Sequence, residues 1–231
     1  MSHVLPPITR VEGESVSLST TRLYKRKPVW AREAAIYVPV EARFTQCAQY
    51  IAALVYNATT YTHVHNTLRA GSAVTLNSMT TTWAIYLVTR TPINRFYVNV
   101  GNANANAETL TVEYWNGTAY TDASATDNTA SGGATLAVDG EVTWTLPTDE
   151  VASSVSDGTH TFYGFVYKLT VSGALDSTVT VTEIIPGHEN TTGGYLNAGI
   201  AQLNVERMEG VTLWVAAGTP TGNIDWLGYE G

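Results

Sequence analysis

Period-two alternation bounded by turn residues is the pattern that most restricts this chain, and it is cleanest in residues 108–121, ETLTVEYWNGTAYT. Leu110, Val112 and Tyr114 alternate with Thr109, Thr111 and Glu113, so a strand here carries apolar side chains on one face and polar ones on the other. Asn116-Gly117 follows. Both residues tolerate positive φ, so the dipeptide predicts a two-residue hairpin turn that folds 118–121 back on 112–115. Similar short apolar segments recur at 61–64, 73–76, 83–88, 95–100 and 141–146, separated by Thr, Asn, Gly and Pro. Such spacing is what sandwiches and barrels produce. The densest run, 160–171, reads as a central strand, and 178–184 is another clean alternation that Pro186 and Gly187 end.

Composition supports the same class. The chain has 35 Thr and 13 Tyr but only 3 Lys, a balance that favours sheet over helix. Four stretches read differently. Residues 34–40, AAIYVPV, form a strand that Pro39 marks as an edge or an end. In 46–55, Cys47, Tyr50, Ile51, Leu54 and Val55 fall at helical spacing, so the segment reads equally as a short helix or a buried strand. Residues 122–134 are small and polar and read as a surface loop. The tail 219–231 carries Trp226 and Tyr229 in a weakly structured context, which leaves a neighbouring subunit or their own domain as their cover.

The formal net charge of -8 is unevenly spread: residues 1–43 carry about +3 and the rest about -11. An acidic body disfavours a broad nucleic-acid surface. The N-terminal segment reads as an extended basic arm in which Arg22, Lys25, Arg26, Lys27 and Arg32 alternate with the apolar anchors Tyr24 and Trp30. Pro28 breaks any continuous helix there. Cys47 is the only cysteine, which rules out an intramolecular disulfide, and its apolar setting suits the core. The N-terminus lacks the apolar run of a signal peptide and no stretch reaches eighteen apolar residues, so a soluble protein without a membrane partner is expected.

Taken together, VEYWNGTAYTDASATDNT, the later GEVTWTLPTD and then YGFVYKLTVSGALDSTVTVTEI resemble a module of virion structural proteins from tailed bacteriophages. The residues that carry the resemblance are Tyr114 to Gly117, Asp122 and Asp127, Val142 to Trp144 with Pro147, and Tyr167 to Ser172. It spans about 93–184, with Tyr120 and Glu150 standing where such relatives carry Trp. The resemblance implies a jelly-roll-like β-sandwich that attaches to heads, tails or fibres. The expected organisation is an arm at 1–33, the sandwich at 34–186, and C-terminal strands with a tail at 187–231 packed on the sandwich or on a neighbouring subunit.

Chemical signatures are sparse. His63 and His65 lie two apart, which on a strand turns both imidazoles to one side, but no third metal ligand stands nearby in sequence. Asp122 and Asp127 lack the ligand pattern of a calcium loop and suit turn capping. No nucleophile elbow, phosphate loop or dinucleotide fingerprint occurs, and no rule selects a catalytic pair from the twenty carboxylates. Asn57, Asn116 and Asn190 begin glycosylation-type sequons. The expectation is a non-enzymatic virion component without catalytic residues, metal or cofactor, assembled in the host cytoplasm. Its first reading is a capsid decoration or cement protein on the outside of a phage head. That reading has the major capsid protein or other virion proteins as partners, held at an acidic surface by the basic arm, and a symmetric homo-oligomer, such as a trimer, touching through Trp226 and Tyr229. A tail, collar or baseplate subunit is one alternative. The other is a carbohydrate-binding module presenting Trp115, Tyr120 or Trp144 to host-surface sugars.

Overall fold

The computed structural model describes residues 8–18, 23–26, 31–47, 50–187, 194–196, 198–204, 210–215 and 217–229. Its contacts divide the chain into two compact units, Met1–Cys47 with Glu189–Gly231, and Ala48–His188. The first unit opens with β1 (Ile8–Ser17), β2 (Leu23–Arg26), β3 (Glu33–Val38) and β4 (Ala42–Cys47). The second begins with β5 (Tyr50–Tyr56), β6 (Tyr61–His63), helix α1 (His65–Arg69), β7 (Val74–Thr75), β8 (Ala84–Thr89) and β9 (Arg95–Asn102). It continues with β10 (Leu110–Trp115), β11 (Tyr120–Asp122), β12 (Thr126–Asp127) and β13 (Gly140–Thr143). Its last strands are β14 (Ser153–Ser156), β15 (Thr161–Val171) and β16 (Thr180–Gly187). The chain then returns to the first unit for β17 (Gly194–Leu196), β18 (Gly199–Asn204), β19 (Gly210–Val215) and β20 (Thr221–Tyr229).

The protein is all-β and sandwich-like. In the first unit one antiparallel sheet runs β1-β20-β3-β18 and a second runs β2-β19-β4-β17. Val16, Ile36, Val38, Ile224 and Trp226 of the first sheet share a buried cluster with Ala42, Leu213 and Val215 of the second. Two expectations are corrected here. Residues 8–17, read as part of an arm, form a strand paired with β20 along its length. The tail is also a strand, because Gly222, Ile224 and Trp226 alternate with Asn223 and Asp225 and turn inward. Pro39 marks the end of β3 rather than an edge, since β3 lies between β20 and β18.

In the second unit one antiparallel sheet runs β11-β10-β15-β8-β5-β6, with β14 added to the first half of β15. The facing sheet runs β12-β13-β9-β16, with β7 on β16. Successive long strands cross between sheets, and the pair β9·β13 nests inside the pair β8·β15, the winding of a jelly roll. The core lies between the sheets. Ala53, Leu87, Val112, Tyr167 and Leu169 from one meet Phe96, Val98, Val142, Trp144 and Ile184 from the other. Trp144 stacks obliquely between Phe96, at 5.7 Å, and Tyr167, at 5.5 Å. The Tyr167 hydroxyl, fully buried, accepts the Ile93 N–H at 2.7 Å. Residues 50–56 settle the helix-or-strand alternative as strand β5, buried on both faces from Ala52 to Val55. Strand β16 runs through Pro186, paired with Phe96, so that proline does not stop it.

The segment after β13 lies against β10: Val151 N–H donates to the Trp115 carbonyl at 3.0 Å, and the Tyr114 hydroxyl donates to Asp149 Oδ1 at 3.0 Å. Neither Glu150 oxygen meets hydrogen-bond geometry with a described residue. Burial pushes this carboxyl up from its ordinary 4.5 to about 7, with the nearby Tyr167 hydroxyl opposing the shift and the Asp149 charge adding to it. A raised folded pKa means that the folded state holds the proton more tightly. Its contribution is therefore full below about pH 4.5 and is lost as pH rises through about 7. The urea midpoint should fall between pH 5 and pH 8, and Glu150→Gln should flatten that slope. A slope unchanged by the substitution would contradict this assignment.

Candidate binding face

Because side chains alternate across a strand, the residues that build the core of the second unit also decide what its larger sheet presents on the other side. Val112 and Tyr114 point inward from β10, leaving Glu113 and Trp115 outward. Tyr167 and Leu169 do the same on β15, leaving Val166 and Lys168 outward. The outer face carries its own apolar cluster of Ala52, Leu54, Val88, Val155 and Val166, with Tyr61, Tyr86, Tyr120 and Phe162 packed against it.

On that cluster the rings form a connected row. Tyr56 and Tyr61 lie 4.6 Å apart, Tyr61 and Tyr86 5.9 Å, Tyr86 and Tyr120 6.2 Å, and Tyr120 and Trp115 5.3 Å. Tyr86 on β8 and Tyr120 on β11 are three strand spacings apart, about 14 Å at the backbone. Their rings therefore lean towards each other over β15 and β10. Lys168 sits beneath that bridge, its Nζ donating to Glu113 Oε2 at 2.7 Å and lying 5.4 Å from the Tyr120 ring centre. All five rings are half-buried. Burial, and then the neighbouring Tyr61 and Glu113, push the Tyr120 hydroxyl up to about 12; burial first, then Tyr61, Tyr120 and Glu113, raises Tyr86. The row offers half-buried rings, their hydroxyls and one ion pair.

Three hairpins of this sheet turn by one device. In each, an Asn or Asp at the first position accepts two backbone N–H groups with its side-chain oxygen, and the next residue takes positive φ. Asn57 holds Thr59 and Thr60, with Ala58 at φ 72°. Asn116 holds Thr118 and Ala119, both at 2.9 Å, with Gly117 at φ 96°. Asp157 holds Thr159 and His160, with Gly158 at φ 91°. The central pair of the middle turn is thus Gly117-Thr118, one residue later than the dipeptide suggested. The sequons at Asn57 and Asn116 are these turns, whereas Asn190 lies outside the described residues.

The β14–β15 hairpin packs Val155 and Phe162 onto the outer cluster. Gly164 permits the close approach, because a Cβ there would meet the Thr89 carbonyl oxygen at 2.5 Å. At the tip, Asp157 Oδ2 contacts His63 Nε2 on β6 and lies 3.5 Å from His160 Nδ1. The His160 N–H, the His63 ring and the Thr159 N–H, in that order, hold the Asp157 carboxyl below the ordinary range. His65 does not share this site: β6 ends at His63 and His65 begins α1, so the strand alternation that paired the two imidazoles stops between them.

The other expected site residues fall elsewhere. Arg22, Lys27 and Trp30 lie outside the described residues, as do the side chains of Tyr24, Arg26, Cys47 and Tyr229. Lys25 Nζ is 2.7 Å from Glu14 Oε2, and Arg32 N–H donates to the Leu227 carbonyl at 3.0 Å. Trp226 is corrected as a subunit contact: it is 2% exposed within the first unit, and its indole N–H donates to Glu14 Oε1 at 3.2 Å. Asp122 and Asp127 cap turns, accepting Ser124 and Thr129 N–H groups at 2.8 Å. Trp144, a ring weighed for sugar stacking, is buried between the sheets.

No family model and no curated protein matches the chain. A solved structure of the stem and receptor binding domain of spike protein P1 from bacteriophage PM2 is similar at 8% identity, over 98% of this chain and 100% of that one, with a TM-score of 0.19. A likeness that loose carries no argument about role.

The Lys168–Glu113 pair is the electrostatic centre of the row, with side chains 26% and 22% exposed. A double-mutant cycle with Lys168→Ala and Glu113→Ala should return a coupling of about 0.5–1 kcal/mol, measured by urea unfolding. Strict additivity would show that the pair does not organise the face.

Proposed function

We propose that the chain is a non-enzymatic structural protein of a tailed-phage virion and that the aromatic row of its second unit is a glycan-binding surface. The virion part is supported by the sequence resemblance, whose residues all fall in the second unit. Tyr114 to Gly117 end β10 and open its turn, Val142 and Thr143 end β13 with Trp144 just beyond, and Tyr167 to Val171 run through the central strand. The glycan part rests on one observation: five half-buried rings in continuous contact, with hydroxyls and an ion pair among them. Sugar rings present C–H groups that pack on aromatic faces and hydroxyls that pair with Tyr, Lys and Glu.

The head-decoration reading places attachment on the basic arm. Of that arm, the Lys25 ammonium is paired with Glu14 within its own unit, and Trp226, the oligomer contact of that reading, is covered. This favours the alternative that puts the contact surface on the sandwich.

The purified chain should bind a defined set of bacterial-surface glycans on an array. Trp115→Ala and Tyr120→Ala should each weaken binding about tenfold or more while circular dichroism stays unchanged. Failure to bind any glycan, together with salt-sensitive rebinding to stripped virions that requires residues 1–32, would replace this reading with head decoration.

A further inference from the structure

We propose that His63, Asp157 and His160 form a binding site for a divalent transition-metal ion, zinc in the first instance, which clamps the β14–β15 hairpin onto β6. One ligand atom from each residue, a ring nitrogen of either histidine and a carboxylate oxygen of Asp157, lies within 4.8 Å of the other two. Tetrahedral zinc sites hold nitrogen and oxygen ligands at about 2.0–2.2 Å from the ion, so the ligands themselves sit about 3.4 Å apart. That spacing lies between the short His63–Asp157 contact and the 4.8 Å bound of the set, so an ion would require the imidazoles to adjust around a fixed Asp157.

The exposure of the three groups suits such a closure. The Asp157 side chain is only 9% exposed, whereas His63 and His160 are 44% and 66% exposed. Asp157 is also fixed by its turn: Oδ1 accepts the Thr159 and His160 N–H groups at 2.7 and 2.6 Å, which leaves Oδ2 aimed at both imidazoles. Hydrogen bonds of this kind to a ligand's second oxygen orient it towards a metal. The Phe162 ring lies 5.2 Å from the His63 ring and 6.2 Å from that of His160, forming an apolar wall behind the ligands.

The donor set selects the ion. Two imidazoles and one carboxylate suit zinc, nickel or copper, whereas calcium and magnesium prefer sites built from oxygen alone. Three protein ligands leave a fourth position for water or for an oxygen of a bound molecule. His63 comes from β6 and the other two from the hairpin tip, so an ion joins segments 94 residues apart in sequence. This inference stands independently of the glycan reading.

The test uses the full chain after dialysis against a chelator. Calorimetric titration should find one Zn²⁺ per chain, Ca²⁺ should not compete, and Co²⁺ should give the visible absorption of a four-coordinate site. Zn²⁺ should also raise the unfolding temperature. Asp157→Asn keeps the turn, as Asn57 and Asn116 show, but removes the anionic ligand. That variant and His160→Ala should each weaken Zn²⁺ binding by at least about 100-fold and abolish the thermal shift, whereas His65→Ala should leave both unchanged. No Zn²⁺ uptake by the unaltered chain at about 100 µM, or uptake that survives both substitutions, would overturn the proposal and leave the three residues as a hydrogen-bonded clasp.

Discussion

Tyr167 ties the second unit together. Its strand is the sheet's central one, paired on one side with β10 and on the other with β8, so Tyr167 stands opposite both Tyr114 and Leu87. Its ring meets Trp144, which lies in the core just past the end of β13, and its hydroxyl accepts the Ile93 N–H. A buried hydroxyl without a partner costs about 1–3 kcal/mol, so this hydrogen bond fixes the register as well as the packing. A one-residue slip of β15 would turn Lys168 into the core and Tyr167 out to solvent. The inward choice at Tyr167 therefore dictates the outward row, and the candidate binding face is a consequence of how the core is filled.

The polar turns give that face its edges. Asn57, Asn116 and Asp157 each satisfy two backbone donors that would otherwise be left open at a tight corner. At two of these corners the acceptor is a neutral amide. At the third it is a carboxylate, which carries a second oxygen free to meet imidazoles. The same local geometry thus serves as a plain turn twice and once as a turn whose second carboxylate oxygen faces two imidazoles.

Much of the architecture was legible in the sequence because alternation survives wherever one face of a strand is more polar. Strand β10 and the first half of β16 show it, whereas β15 is legible from the density of apolar residues in 160–171. Alternation fails where both faces are apolar, as in β5, whose residues Ala52 to Val55 are all buried, and there helical spacing looked equally good. The tail misled because Gly222 and Gly228 dilute the Ile224–Trp226 stripe, although the period of two was present. Of the candidate face, Trp115 and Tyr120 are marked by their hairpin, but Tyr56, Tyr61 and Tyr86 join them only through sheet pairing. The metal-type cluster was invisible for the same reason. His63 pointed to His65 by local spacing, while its actual neighbours come from a hairpin 94 residues later.

Native-state hydrogen exchange on the unaltered chain and on Tyr167→Phe tests the central role of this strand most directly. The amides of 165–169 should exchange only through global unfolding of the second unit, more slowly than those of the outer strands β6 and β11. Tyr167→Phe should expose the Ile93 amide to faster exchange while the β15 amides remain the slowest. Faster exchange in the middle of β15 than in β6 or β11, or an Ile93 amide indifferent to loss of the hydroxyl, would contradict that role.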